Sequence, residues 1–391
     1  MWERSFWLKQ LEILFNRRSI VWLYGARRSG KTVLCRMWPD SEYFDCELPR
    51  VRRQVEDPEA FWGGLRGKRV VLDEVHRLGN PSEVLKIAAD HFPDIRVLAT
   101  GPSTLGPSRR FRDTLTGRKH DLWLTPMITT DLRDSGITDL DRRFHRGGLP
   151  PFFLGETVHE ADYQDWMDGF WAKDIQEMFR LGRRHSFQRF FEMVMANSGG
   201  IFEATRYAGP CEISRPTVAH YLSILEATRV AHILRPFNSR RMSEIVSAPK
   251  VYGFDTGFVC YHRGWHTLRN EDRGLLWEHF VLNEIQGRLQ RMRIGYWRDK
   301  SGHEVDLVVT SPGQPLVAIE CKASASSFEP EGLRAFLHRY PESLARVVAM
   351  DVTRPFLRRD GPFRIEFVDL DGLVRLLTVG GAPDGSEGNS P

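Results

Sequence analysis

Ser19-Ile-Val-Trp-Leu-Tyr24, followed by Gly25-Ala-Arg-Arg-Ser-Gly-Lys-Thr32, decides how the chain is read. The first six residues are an apolar run of strand length, and the next eight satisfy GxxxxGK[ST] at every fixed position. In such a loop glycines let backbone N–H groups wrap phosphates, so Gly25, Ser29, Gly30 and Lys31 are the expected cradle. Lys31 supplies a point charge to the outer phosphate oxygens, and Thr32 offers its hydroxyl to Mg²⁺. A helix opening near Gly30 adds the positive end of its dipole.

Two later runs fit the same sheet. Lys68-Arg-Val-Val-Leu-Asp73-Glu74 is an unbroken apolar stretch ending in two acids, as expected of a buried parallel strand that delivers carboxylates to the phosphate end. Asp73 is assigned to Mg²⁺ and Glu74 to polarising the attacking water. Ile95-Arg-Val-Leu-Ala-Thr100-Gly101 stops at a hydroxyl, which makes Thr100 a candidate γ-phosphate sensor.

Composition narrows the alternatives. At 391 residues and 41% hydrophobic content, two or three ordinary cores are expected. No stretch approaches the ~18 apolar residues of a membrane span, and the start does not resemble a signal peptide. Five scattered cysteines, at positions 35, 46, 211, 260 and 321, suggest a reducing cytoplasm and neither a disulfide frame nor a zinc cluster. A formal charge of +4 is mild, but basic residues gather at Arg109, Arg110, Arg112, Arg118 and Lys119, at Arg235, Arg240 and Arg241, and at Arg288, Arg291, Arg293 and Arg298. Solvated surface explains any one group; three together favour a phosphate-backbone partner.

The chain divides by pattern. Residues 1–140 alternate apolar runs with helical periodicity, implying a parallel α/β sheet. Residues 141–195 follow Arg146-Gly-Gly-Leu-Pro-Pro151 with an aromatic-rich helix from Ala161 to Leu181, a connector whose Trp166, Phe170, Trp171 and Phe179 are expected in a core. Over 196–262, a short helix near 202–208 precedes Ser214-Arg-Pro-Thr217. Ser214 suits an N-cap and Pro216 the first turn of a helix carrying Val218, Tyr221, Leu222 and Leu225 on one face. With strands at 230–234 and 251–254, this succession describes a winged helix-turn-helix. If it binds DNA, Arg215, Thr217 and His220 face the groove while Arg240 and Arg241 in the wing touch phosphates; the same fold also serves protein contacts. The end, 380–391, is nearly devoid of apolar residues and reads as a disordered tail.

Residues 263–379 carry a third constellation. Glu304-Val-Asp306-Leu-Val-Val309 and Leu316-Val-Ala-Ile-Glu320-Cys-Lys322 read as paired strands, with Glu320 and Lys322 on one face. An acid followed a hairpin later by ExK is the arrangement of a metal-dependent phosphodiesterase: Asp306 and Glu320 ligate Mg²⁺, and Lys322 steadies charge or activates water. Glu278 falls on the apolar stripe of a helix expected over 274–291, and a buried carboxylate needs a partner. Taken singly, each is better read as part of an exposed ion pair or as a helix-edge acid; taken together, the constellation favours the site.

Together these stretches resemble the bacterial and archaeal P-loop ATPases of the AAA type whose carboxy-terminal part is a domain of unknown function. The resemblance runs through Gly25–Thr32, Leu72-Asp-Glu-Val75, Leu98-Ala-Thr-Gly101, Leu115-Thr-Gly-Arg118, Arg146–Pro150, Ala248-Pro-Lys-Val-Tyr252, Phe254-Asp-Thr-Gly257, Trp277-Glu278, Tyr296-Trp-Arg298, Glu304-Val-Asp306 and Glu320-Cys-Lys322. It implies an α/β AAA-type ATPase domain, a helical connector and winged helix, and a restriction-endonuclease-like α/β domain of the PD-(D/E)xK kind. It further implies ATP and Mg²⁺ as cofactors, DNA as partner and a possible homo-oligomer with an arginine supplied by the neighbour, for which Arg118 and Arg112 are candidates. His76, where glutamine is usual, and Pro102, where serine is frequent, depart from the pattern. The function expected is ATP-driven DNA handling with control of a nuclease-like domain; the alternative is a nucleotide-driven switch that binds DNA or protein without cutting.

Overall fold

Side chains alternate across a strand, so a strand buried on both faces needs no polar residue to mark the solvent side. The computed structural model, which describes residues 2–105, 109–237, 248–290 and 293–379, has this arrangement in its first sheet. The strands are β1 (Ile20–Tyr24), β2 (Ser41–Asp45), β3 (Arg69–Asp73), β4 (Arg96–Thr100) and β5 (Lys119–Trp123), in the order β2-β3-β4-β1-β5, every neighbour parallel. Ile20, Trp22, Val70, Leu72, Val97 and Ala99 enter one core with Trp62 and Phe111. Val21, Leu23, Val71 and Leu98 enter another with Trp7, Leu11 and Leu34. The uninterrupted apolar runs are thus two interleaved core faces. β2 is only half-buried and β5 largely so, and neither carries an apolar run that marks it in sequence.

The tertiary contacts gather into two compact units. One comprises residues up to Ser198 with Ala204–His232 and Gly253–His266; the other comprises Gly199–Glu203, Ile233–Tyr252 and the chain from Thr267 onward. In the first unit the expected aromatic helix is regular over Glu160–Gly169, widens to π geometry over Phe170–Gln176 and closes with Glu177–Phe179. Trp166, Phe170 and Trp171 are buried, Trp166 stacking on Phe170 with centroids 5.0 Å apart. Helices Arg184–Ala196, Ala204–Ala208 and Arg215–Ala227 follow, the last capped by the Ser214 hydroxyl, which accepts from Thr217 N at 3.3 Å.

The second unit is a mixed sheet flanked by helices. Its strands are β6 (Gly200–Ile201), β7 (Ala231–Pro236), β8 (Lys250–Gly253), β9 (Arg293–Arg298), β10 (Glu304–Thr310), β11 (Val317–Lys322), β12 (Leu344–Ala349), β13 (Phe356–Asp360) and β14 (Phe363–Val368), in the order β13-β14-β12-β11-β10-β9-β7-β8-β6. β10 and β11 form the expected antiparallel pair, Leu307 opposite Ile319, and β11 runs parallel to β12. Helix Asn270–Leu289 precedes β9, starting four residues before the expected Gly274 because Asp272 accepts the Arg269 N–H at 3.0 Å and caps the first turn. Helix Glu331–Arg339 lies between β11 and β12 in the chain. Arg240, Arg241, Arg291 and the expected tail 380–391 lie outside the described residues.

Candidate functional site

The phosphate loop begins where β1 ends. Leu124 N donates to Tyr24 O at 2.7 Å, which brings the Leu124 carbonyl so close that a Cβ on Gly25 would lie 2.2 Å from it; only glycine fits. Gly30, with φ +96°, turns the chain into helix Lys31–Met37. Lys31 Nζ donates to the carbonyls of Gly25 at 3.0 Å and Ala26 at 3.2 Å, so the ammonium is already curled over the loop. Beneath it, Arg4, 2% exposed, donates from Nη1 to Ser29 O at 2.8 Å and forms a two-pronged pair with Asp131 at 3.0 and 2.7 Å. Trp7 Nε1 donates to the same carboxylate at 3.1 Å. This buried brace under the loop had no local sequence signal, because its members are 127 residues apart.

The order of the sheet sets the rest. β4 lies between β1 and β3, so Thr100 pairs with Leu23 in register and sits beside the end of β3. The Thr100 hydroxyl donates to Asp73 Oδ1 and accepts from Glu74 N at 3.0 Å; Tyr43 OH donates to Asp73 Oδ2 at 2.6 Å. Thr100, expected as a γ-phosphate sensor, is fully buried at the end of β4, where its hydroxyl holds Asp73 and the turn at Glu74. Glu74 takes a left-handed conformation, φ +57°, that swings its side chain out of the strand line. Burial raises its carboxyl, but His76, with Nδ1 3.1 Å from Oε2, and the Lys31 charge outweigh that and hold it below the usual carboxylate range. His76 thus stands against the proposed water-orienting acid.

A cleft of about 420 Å³ is lined by Lys31, Thr32, Asp73, Glu74, His76 and Pro102 among others. Lys173 and Asp174 reach it from the π stretch, with Arg27 Nη1 3.6 Å from Asp174 Oδ2. Local π geometry re-aims side chains that a regular helix would place elsewhere. Thr32 and Asp73 offer hard oxygen ligands of the kind Mg²⁺ takes while keeping most of its waters.

Of the arginine candidates, Arg118 is committed within its own unit: Nε and Nη2 donate to Asp90 at 2.6 and 3.1 Å. The Arg112 side chain lies outside the described residues. Arg215 and His220 are exposed and Thr217 half-buried at the start of helix Arg215–Ala227. Arg288 is engaged by Glu284 and Asp371, whereas Arg235, Arg293 and Arg298 are exposed on β7 and β9.

The second constellation lies within the second unit. Asp306 Oδ2 accepts from Cys321 N at 2.8 Å, and Lys322 Nζ lies 2.9 Å from Glu320 Oε2. Glu320 is only 5% exposed, which removes the surface ion-pair alternative. Burial, then the Asp306 charge, pushes the Glu320 carboxyl well up despite Lys322. Burial opposes the Lys322 charge, but Glu320 and Asp306 outweigh it and hold the ammonium above its usual range. Glu278, on helix Asn270–Leu289, accepts from Tyr252 OH and lies 3.7 Å from Lys250 Nζ; burial and Asp306 raise it to about 7. Lys250 also pairs with Glu304. Lys250, Tyr252 and Glu304 were not singled out as site residues, since Tyr252 on β8 lies 26 residues from the Glu278 it meets.

Among the described residues no group of three or more His, Cys, Asp or Glu side chains converges as a metal cage. Mg²⁺ does not require one: one or two carboxylates and water suffice. Asp306 and Glu320, two crowded acids facing one lysine, fit that demand. All five cysteines are buried free thiols, and no described helix is long and apolar enough to cross a membrane.

Three family models match the chain: an AAA domain over residues 17–132, and two domains of unknown function, DUF8612 over 137–269 and DUF4143 over 273–367. The uncharacterized proteins Rv2008c of Mycobacterium tuberculosis and Mb2031c of Mycobacterium bovis are each 28% identical over 340 residues, covering 84% of this chain and 76% of theirs. Among solved structures, the Walker-type ATPase PABY2304 of Pyrococcus abyssi aligns over 67% of this chain and 96% of its own at 15% identity, with a TM-score of 0.43, too low to carry a fold assignment. Residues 17–132, the span that matches the AAA-domain model, hold the phosphate loop and the acids at the end of β3 that line the cleft.

Proposed function

We propose that the chain hydrolyses ATP and that this cycle governs a nuclease-like site acting on DNA in the second unit. The observation that carries the reading is the meeting of Asp306, Glu320 and Lys322 at adjacent strands of a mixed sheet, in a chain that also holds a complete phosphate loop. The succession helix, β9, β10, β11, helix, β12 supports a restriction-endonuclease-like fold, with the acids on β10 and β11. The succession helix, β6, helix, helix, β7, β8 supports a winged helix, and exposed Arg215 and His220 support nucleic acid as its partner.

In the cleft, Lys31 leaves the loop carbonyls for phosphate oxygens, and Glu74, held ionised by His76, orients the attacking water. Thr32 and Asp73 would hold Mg²⁺ in the cleft, and Asp306 and Glu320 would hold one in the second unit; in each place the ion would supply positive charge against the phosphate. Lys322, kept protonated by its two acids, stabilises the charge that develops on the scissile phosphate. A second reading, in which the last unit binds DNA or protein without cutting, draws on Glu278 being taken up by Tyr252 and Lys250.

Plasmid and linear DNA incubated with Mg²⁺ or Mn²⁺, with and without ATP, separate the two. Cleavage abolished by Lys322→Ala, and freed from ATP control by Lys31→Ala, is the expected result. ATP turnover with DNA intact under every condition overturns the nuclease reading in favour of the switch.

A further inference from the structure

Lys250 is an uncommon object: a lysine whose side chain is 7% exposed, set on a strand of four buried residues. Lysine is almost never so deeply buried unless it is paired, because its charge loses hydration. Here its ammonium contacts Glu304, lies 3.7 Å from Glu278 Oε1 and sits 5.5 Å from the centre of the Tyr296 ring, whose hydroxyl is fixed by a 2.6 Å bond to Ala248 O. Tyr252, two residues on and on the same face of β8, donates to Glu278. The strand therefore brings a cation and a hydrogen-bond donor to Glu278 and Glu304, whereas Lys322 pairs with Glu320.

Charge counting gives this a consequence. Four carboxylates, Glu278, Glu304, Asp306 and Glu320, share the cluster with two lysines: Lys250 holds the first two and Lys322 the last. Arg298, 3.9 Å from Glu304 and half-exposed, adds only a solvent-screened charge. With all four acids ionised, as a bound cation beside them favours, the two negative charges left over match one divalent ion. Two cations would leave the cluster strongly positive, with Lys250 and a dication competing for the same oxygens.

We propose that Lys250 is a built-in cation occupying the place of a second metal ion, so that the acid cluster takes one divalent ion, at Asp306 and Glu320, and not two. The inference rests on the proposed reading of Asp306 and Glu320 as metal ligands. It makes Lys250 a positioning residue: it fixes Glu278 and Glu304 at the edge of the site without exchanging with solvent ions.

The test counts Mn²⁺ bound at saturation by electron paramagnetic resonance. It uses the full chain carrying Asp73→Asn, which takes the nucleotide cleft out of the count. One ion is expected in this reference, none with Asp306→Asn, and two when Lys250→Met is added. The double change Lys250→Met with Glu304→Gln returns the count to one, because the oxygens of the second position are gone. A count that stays at one in folded Lys250→Met, or that is already two in the reference, overturns the inference. A reference that binds no manganese instead overturns the metal reading of Asp306 and Glu320. Should Lys250→Met fail to fold, Glu304→Gln alone decides: an unchanged count of one supports Lys250 as the partner of Glu304, and loss of the ion overturns it.

Discussion

At the scale of single residues, the phosphate-loop cleft depends on side chains that act through one another. Glu74 accepts a left-handed backbone, a conformation that costs a non-glycine residue roughly 1–3 kcal/mol, and the Thr100 hydroxyl on its N–H holds it there. The same hydroxyl fixes Asp73. Glu74→Gln is expected to bind ATP as the wild type does while turnover falls about 10²-fold or more, the usual scale for removing a general base. Thr100→Val, which keeps volume but deletes both bonds, is expected to lower turnover by about tenfold or more by freeing Asp73 and the turn, since misplacing a reacting group is expensive in rate. Steady-state hydrolysis beside equilibrium binding of a fluorescent nucleotide checks both; wild-type turnover in Glu74→Gln removes its assigned role. The loop residues were legible because they are contiguous. Tyr43, Arg4 and Asp131 were not, because they meet the loop only when separate elements pack.

At the scale of elements, two stretches that carry the family resemblance act as joints. In Arg146-Gly-Gly-Leu-Pro150, Gly147 has φ +83°, and a Cβ there would lie 1.9 Å from Asp255 Oδ1; one on Gly148 would strike the Arg143 guanidinium. Asp255, buried, accepts from Gly148 N at 2.6 Å and from Gly257 N at 2.9 Å, capping helix Thr256–Arg263. Arg143 donates to Met127 O at 3.0 Å and to Thr256 Oγ1 at 2.9 Å. The two glycines and the Phe254-Asp255-Thr-Gly257 stretch are thus one clamp between helices distant in sequence. Gly147→Ala is expected to destabilise the chain by at least about 2 kcal/mol, from backbone strain and a displaced cap together. Urea unfolding measures it, and a change under about 0.5 kcal/mol, the range of an ordinary surface substitution, refutes the clamp.

At the scale of the whole molecule, buried histidines tie stability to pH. Burial first, and the Arg229 charge second, bring His232 down to about 3, and burial brings His262 to about 4. Both stay neutral in the folded chain at pH values where the unfolded chain, with an ordinary value near 6.5, already takes up a proton. Their effect is therefore absent above pH ~6.5 and grows as pH falls toward their folded values, destabilising by up to about 1.4 kcal/mol per pH unit for each. His232 Nε2 is buried without a hydrogen-bond partner among the described residues, so His232→Leu breaks no bond at that nitrogen. Chemical unfolding between pH 7 and pH 4.5 is expected to show a shallower decline in His232→Leu; parallel declines would exclude His232 from the pH response.

Local spacing alone was enough to announce the phosphate loop, the acids after β3 and the pairing of β10 with β11, because each lies in a few consecutive residues whose geometry the backbone dictates. Folding in three dimensions settled which of those groups touch. Insertion of β4 between β1 and β3 set the Thr100 hydroxyl on Asp73, and the approach of Asp90 gave Arg118 a partner within its own unit. The burial of Lys250 among Glu278 and Glu304 joins residues far apart in the chain. A buried charge is tolerable only beside its counter-charge, and sequence spacing carries no record of which distant residue supplies it.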